Sequence, residues 1–150
     1  MRPAILPRTI CPLALALLGL LAGCNRDPAG VGTTYPVAGK VTVAGAPLRS
    51  GSVSFRPDSS RGNNTPHEPA GAIGPDGAYR LFTAGKEGAP PGWYYVAVTA
   101  VEPADPSGPD PYRPPRSLIA ARYGKAETSG LAVEVVADPA PGAYDFRLER

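Results

Sequence analysis

Apolar residues recur at every second position through most of this chain, and glycine or proline interrupts each run before it reaches helical length. Alternation of this kind sends successive side chains to opposite faces of a strand, so one face can be buried while the other stays wet. The breakers are dense: 18 glycines and 20 prolines among 150 residues. Proline removes a backbone donor and glycine supplies turn conformations, so a chain with this punctuation favours short strands and tight turns over helices.

Seven stretches carry the period of two. Val37, Gly39, Val41 and Val43 alternate with Ala38, Lys40 and Thr42, and a turn at Ala44–Pro47 follows. Val53 and Phe55 come next, then a polar loop over 58–65, then a short run at Ala70–Ile73. Pro75-Asp76-Gly77 is a turn signal: glycine accepts a positive φ and the Asp side chain caps the turn backbone. Tyr79, Leu81 and Thr83 form one face of the next strand, and 85–92 is loop. Tyr94, Val96, Val98 and Ala100 then oppose Tyr95, Ala97, Thr99 and Val101, and apolar character on both faces predicts a central position. Leu131, Val133 and Val135 form the sixth run, and Tyr144, Phe146 and Leu148 the seventh. Only 117–123 looks helical, and it is one turn long. The pattern predicts an all-β, seven-stranded antiparallel β-sandwich in one domain over 36–150.

Pro103 to Pro115 holds six prolines in 13 residues, which rules out a central strand and predicts an extended surface crossing or a recognition segment.

The first residues carry a different signal. Arg2 and Arg8 precede an apolar run from Leu13 to Leu21, too short for a membrane span of about 20 residues. Leu21-Ala22-Gly23-Cys24 then resembles a bacterial lipobox, in which a small pair precedes a cysteine that is acylated and becomes the mature N-terminus. The resemblance implies a signal peptide over 1–23, lipid on Cys24, and a membrane partner held through the acyl chains. Asn25, in place of the Asp that retains some bacterial lipoproteins at the inner membrane, leans toward the outer one. Residues 25–35 read as a flexible tether, reaching about 40 Å if extended and about 17–20 Å as a coil.

Removing 1–23 takes two arginines and no acid, which leaves 13 basic and 13 acidic residues. A neutral chain without basic clusters argues against nucleic acid as a partner. Cys11 leaves with the signal and Cys24 carries lipid, so no disulfide is expected and the domain relies on its apolar core.

Val37-Ala38-Gly39-Lys40-Val41-Thr42-Val43, Gly51-Ser52-Val53-Ser54-Phe55, Gly74-Pro75-Asp76-Gly77-Ala78-Tyr79-Arg80-Leu81 and Pro91-Gly92-Trp93-Tyr94-Tyr95-Val96 succeed one another in an order similar to the carboxypeptidase regulatory-like domain. That family has a transthyretin-like (prealbumin-like) β-sandwich. Tyr123, Thr128-Ser129-Gly130-Leu131 and Tyr144-Asp145-Phe146 further resemble small bacterial lipoproteins built on it. The resemblance spans about 36–148 and implies a non-catalytic accessory or adhesion-like module. It transfers no catalytic residue.

Chemistry-bearing residues are sparse. The one histidine, His67, sits in a polar loop beside Glu68, short of the three or four ligands zinc requires. Hydroxyisourate hydrolases share the transthyretin-like fold but use more than one histidine and a Tyr-Arg-Gly-Ser end, which Phe146-Arg147-Leu148-Glu149-Arg150 lacks. Ser117 and Ser129 show no nucleophile-elbow pattern. Asp76, Asp105 and Asp110 are isolated, and no spacing pairs Glu87 with Glu102. No catalytic residue, metal or cofactor is assigned. Alternation places Trp93 and Tyr95 opposite Tyr94, which is expected to be buried; an open face there could stack on a sugar or on a partner's apolar side chain. The expected function is therefore a membrane-anchored binding or structural module for protein or envelope components. The alternatives are a carbohydrate-binding sandwich using Trp93 and Tyr95, and an uncharacterised hydrolase.

Overall fold

A computed structural model of the chain describes residues 30–103 and 114–150. The described residues form an all-β fold of ten strands. These are β1 (Ala38–Val43), β2 (Ala46–Pro47), β3 (Gly51–Pro57), β4 (Ala70–Ile73), β5 (Ala78–Arg80), β6 (Phe82–Thr83), β7 (Lys86–Glu87), β8 (Gly92–Thr99), β9 (Ala132–Val135) and β10 (Phe146–Leu148). Among the described residues the helical elements are two 3-10 turns, Ser59–Arg61 and Ala121–Gly124.

The strands join in one curled sheet, in the order β10-β1-β5-β4-β3-β8-β9, with β2 on β1 and the β6–β7 hairpin on β4. Pairing is antiparallel except between β1 and β10, which run parallel with Val41 opposite Phe146. Seven principal strands fall where alternation puts them; β2, β6 and β7 are two-residue arms that alternation cannot register. β8 is flanked by β3 and β9, in keeping with its apolar character on both faces.

Two stretches depart from expectation. The run from Tyr79 to Thr83 is divided at Leu81, which lies between β5 and β6 and donates its N–H to the Val37 carbonyl, just before β1, at 3.0 Å. Val101 lies beyond β8 and makes an isolated bridge to Ser117.

β1 changes partners along its length. Ala38–Lys40 pair with β5, whereas Val41–Val43 pair with β10 and β2. Gly39 marks the handover. A Cβ there would lie 2.1 Å from the Tyr144 carbonyl oxygen, so only glycine lets that backbone approach. The crossing is held by the Tyr79 hydroxyl donating to the Tyr144 carbonyl at 2.7 Å, and by the Lys40 N–H donating to Asp145 Oδ1 at 2.8 Å.

The core forms inside the curl. Phe55 of β3 lies 5.7 Å from Tyr94 of β8 and 6.2 Å from Phe146 of β10, ring centre to ring centre. β3 and β10 are far apart in the strand order, so the sheet folds over until they face each other. Full burial of a side chain such as Phe55 stabilises by roughly 1.5–3 kcal/mol. The Asp76-Gly77 turn closes as expected: Gly77 has φ +79, and Asp76 Oδ1 accepts from the Ala78 N–H at 3.1 Å.

The described part of the stretch read as tether lies on the sheet. Val31 is buried, and Tyr35 exchanges backbone hydrogen bonds with Ala89 at 2.9 and 3.0 Å. The Lys86 ammonium donates to the Gly32 carbonyl.

Candidate functional site

Period-two geometry at the start of β8 sorts three adjacent aromatics. Tyr94 is fully buried, and its phenol donates to the Pro90 carbonyl at 2.9 Å. Burial pushes that phenol above the usual tyrosine range. Trp93 and Tyr95 turn to the opposite face, where both are half-buried. There Tyr95 stands in register between Arg56 of β3 and Ala132 of β9, and Trp93 stands beside Glu134. Ser54 and Ala97, paired in the next row, make the neighbouring surface low.

The polar stretch after β3 folds back onto Trp93. Asp58 is almost wholly buried; its N–H donates to the Trp93 carbonyl at 3.0 Å, and Asn63 Nδ2 donates to the same oxygen at 2.9 Å. The Asp58 carboxylate caps the 3-10 turn by accepting from the Ser60 N–H at 3.0 Å and the Ser60 hydroxyl at 2.5 Å. The Ser60 hydroxyl holds this carboxyl below the ordinary range; burial opposes it, and backbone donors and the Tyr95 phenol add to the lowering. Arg61, on the same turn, has its Nε 3.3 Å from Asp58 Oδ2 and its guanidinium 4.4 Å from the Trp93 ring centre. One face of the indole is therefore already stacked, an arrangement worth about 0.5–1 kcal/mol at an exposed site. Arg56 pairs with Glu127 across the surface nearby.

Farther along the sheet, a shallow groove of about 760 Å³ is lined by residues including Ala38, Lys40, Ala72, Ala78, Arg80 and Phe82. Alanine side chains leave its floor low, and Phe82 stands at its rim, 47% exposed. Arg80 pairs with Glu87 at 3.4 Å. This surface offers ring stacking, apolar contact and paired charge, which is the chemistry of binding.

The remaining sequence candidates are scattered. His67 is half-buried in the loop before β4. Ser117 and Ser129 are tied into turns, donating to the Ile119 carbonyl at 2.8 Å and the Ala126 carbonyl at 3.1 Å. Glu102 lies at the bridge beyond β8, with its N–H on the Arg116 carbonyl, whereas Glu87 is on the β7 arm. Among the described residues no three His, Cys, Asp or Glu side chains converge. Cys24, Asp105, Asp110 and most of the Pro103–Pro115 stretch lie outside the described residues.

Asp58, Arg61 and Phe82 are the site residues that sequence reasoning missed. An Asp followed by two serines is a capping signal. Phe82 was legible as well, because alternation that turns Leu81 and Thr83 inward turns a phenylalanine out. A scan of protein-family models finds no match to this chain, and searches of curated proteins and of solved structures find none either.

Proposed function

We propose that the chain is a bacterial envelope lipoprotein, acylated on Cys24, whose domain is a non-catalytic, transthyretin-like sandwich of the carboxypeptidase regulatory-like type that binds protein or envelope components. The observation that carries the anchor is Leu21-Ala22-Gly23-Cys24 behind a nine-residue apolar run. The all-β curled sheet supports the domain reading, as do the quoted motifs falling on β1, β3, the Gly74–Gly77 turn and β8. Contact with a protein or envelope component is preferred over sugar binding, because Arg61 already covers one face of the Trp93 ring. Replacing Cys24 with Ser should abolish metabolic labelling by palmitate and release the protein from membranes, and unchanged labelling refutes the anchor. Affinity capture of envelope components with the intact lipoprotein then tests the binding role: recovery that survives Phe82→Ser and Tyr95→Ala in combination rejects this face as the binding surface.

A further inference from the structure

We infer that the β6–β7 hairpin, with Phe82 as its apolar contact, is the edge of the domain that rests on the lipid bilayer. The inference rests on the acylation of Cys24 and adds what acylation alone does not give, the orientation of the domain.

The argument begins with chain length. Val31 is buried in the domain and Tyr35 is paired with Ala89, so the chain is fixed to the sheet from that point on. Between Cys24 and Val31 the backbone reaches at most about 25 Å, whatever its conformation. A domain of roughly this many residues is about 35 Å across, from a radius of gyration near 13 Å. The leash is therefore shorter than the domain is wide, and the pole far from Val31 cannot be the one that touches the membrane.

The surface beside the leash is the hairpin. Tyr35 runs against Ala89, just past β7, and the Gly32 carbonyl accepts from the Lys86 ammonium on β7 itself. Phe82, opposite Glu87 on the partner arm, is the most exposed large hydrophobic residue among those described, at 47%. Lys40 and Arg80 line the same groove as Phe82, with Asp145 there and Glu87 paired to Arg80. An apolar ring flanked by long cationic side chains fits the boundary between acyl chains and headgroups, where the ring enters and the amines stay with phosphate. β1 then carries the chain away for about 20 Å, which puts Ala46 at the opposite end of β1 from the hairpin.

The test uses the full acylated protein in vesicles of phosphatidylethanolamine and phosphatidylglycerol. In the acylated chain the Cys24 sulfur is blocked and Cys11 has left with the signal, so one introduced cysteine takes one environment-sensitive fluorophore. Phe82→Cys and Ala46→Cys are labelled separately; both positions are exposed, so both variants should fold. The expected result is a blue-shifted emission at position 82 that doxyl-labelled lipid quenches, with neither effect at position 46. Equal signals at the two positions, or quenching confined to position 46, overturn the inference while palmitate labelling still upholds the anchor. Absence of palmitate from the parent protein overturns the anchor and the orientation together.

Discussion

Gly39 is where a single methyl group should do most harm. The site faces inward on β1, and a Cβ there would stand 2.1 Å from the Tyr144 carbonyl oxygen and 2.6 Å from its carbon. Backbone must yield, because the two nearest atoms belong to a peptide carbonyl and not to a flexible side chain. Retreat of the carbonyl by about 1 Å to a tolerable contact takes the Tyr79 hydrogen bond from 2.7 Å beyond bonding range. Overpacking costs about 1–3 kcal/mol, and a buried acceptor left unpaired costs about 1–3 kcal/mol more. Gly39→Ala should therefore lose about 2–6 kcal/mol, a large part of the 5–15 kcal/mol typical of a domain. The assay is urea unfolding of the chain from Gly30 onward, followed by the emission of Trp93, the sole tryptophan. With a slope near 1–1.5 kcal/mol per molar, the midpoint should fall by about 1–6 M. Gly45→Ala is the control: its φ is +85 but nothing lies within 4 Å of the added carbon, so only the left-handed backbone penalty of about 1–2 kcal/mol applies. Combining Gly39→Ala with Tyr79→Phe should give less than the sum of the two, since both break one hydrogen bond. A Gly39→Ala loss no greater than that of Gly45→Ala refutes the reasoning.

Two further outcomes concern pH. Burial above all, helped by the charge of Asp145, pushes the Tyr79 phenol far above its ordinary value, and burial raises Tyr94 as well. The unfolded chain ionises these phenols first, so stability should be constant up to about pH 10 and fall above it. Absorbance titration should show both phenols withheld until the alkaline unfolding transition, and early, reversible ionisation of all the tyrosines contradicts this. Asp58 shifts the other way, held low chiefly by the Ser60 hydroxyl. Its contribution is present above the unfolded carboxyl range near pH 4 and lost as pH falls through the lower folded value. Asp58→Asn should therefore lower the melting temperature at pH 7 more than at pH 2, and an equal drop at both removes the carboxylate from the account.

Period-two alternation located the seven principal strands because each burial pattern is local: the odd positions of Val41 and Val43, or the even ones of Tyr94 and Val96, declare their face within a few residues. Asp76-Gly77 was equally local, since turn and cap lie within one tetrapeptide. The parallel partnership of β1 and β10 left no such trace. Lys40 and Asp145, which hold it, are 105 positions apart, and the only hint is a missing side chain at Gly39. The division at Leu81 was hidden too, because it falls inside the unbroken alternation of Tyr79, Leu81 and Thr83. At the candidate site, alternation separated Trp93 and Tyr95 from Tyr94 but could not foresee Arg61. That stacking needs the loop after β3 to fold back, which depends on a buried Asp58 whose partners are scattered through the polar stretch and β8.

The late arrival of β10 also has a consequence for synthesis. At about 5–20 residues per second, roughly 5–20 seconds separate the emergence of Lys40 from that of Asp145. Throughout that interval Val41 and Val43 lack their parallel neighbour, and the gap above Gly39 stands open. A nascent chain in this state has no closed core to jam a narrow translocation channel, which is what the export proposed above would require. It also carries a bare, valine-rich edge meanwhile, the kind of surface that invites a chaperone or a neighbouring chain. The strand pairing that completes the sheet thus sets the moment at which the chain ceases to be threadable.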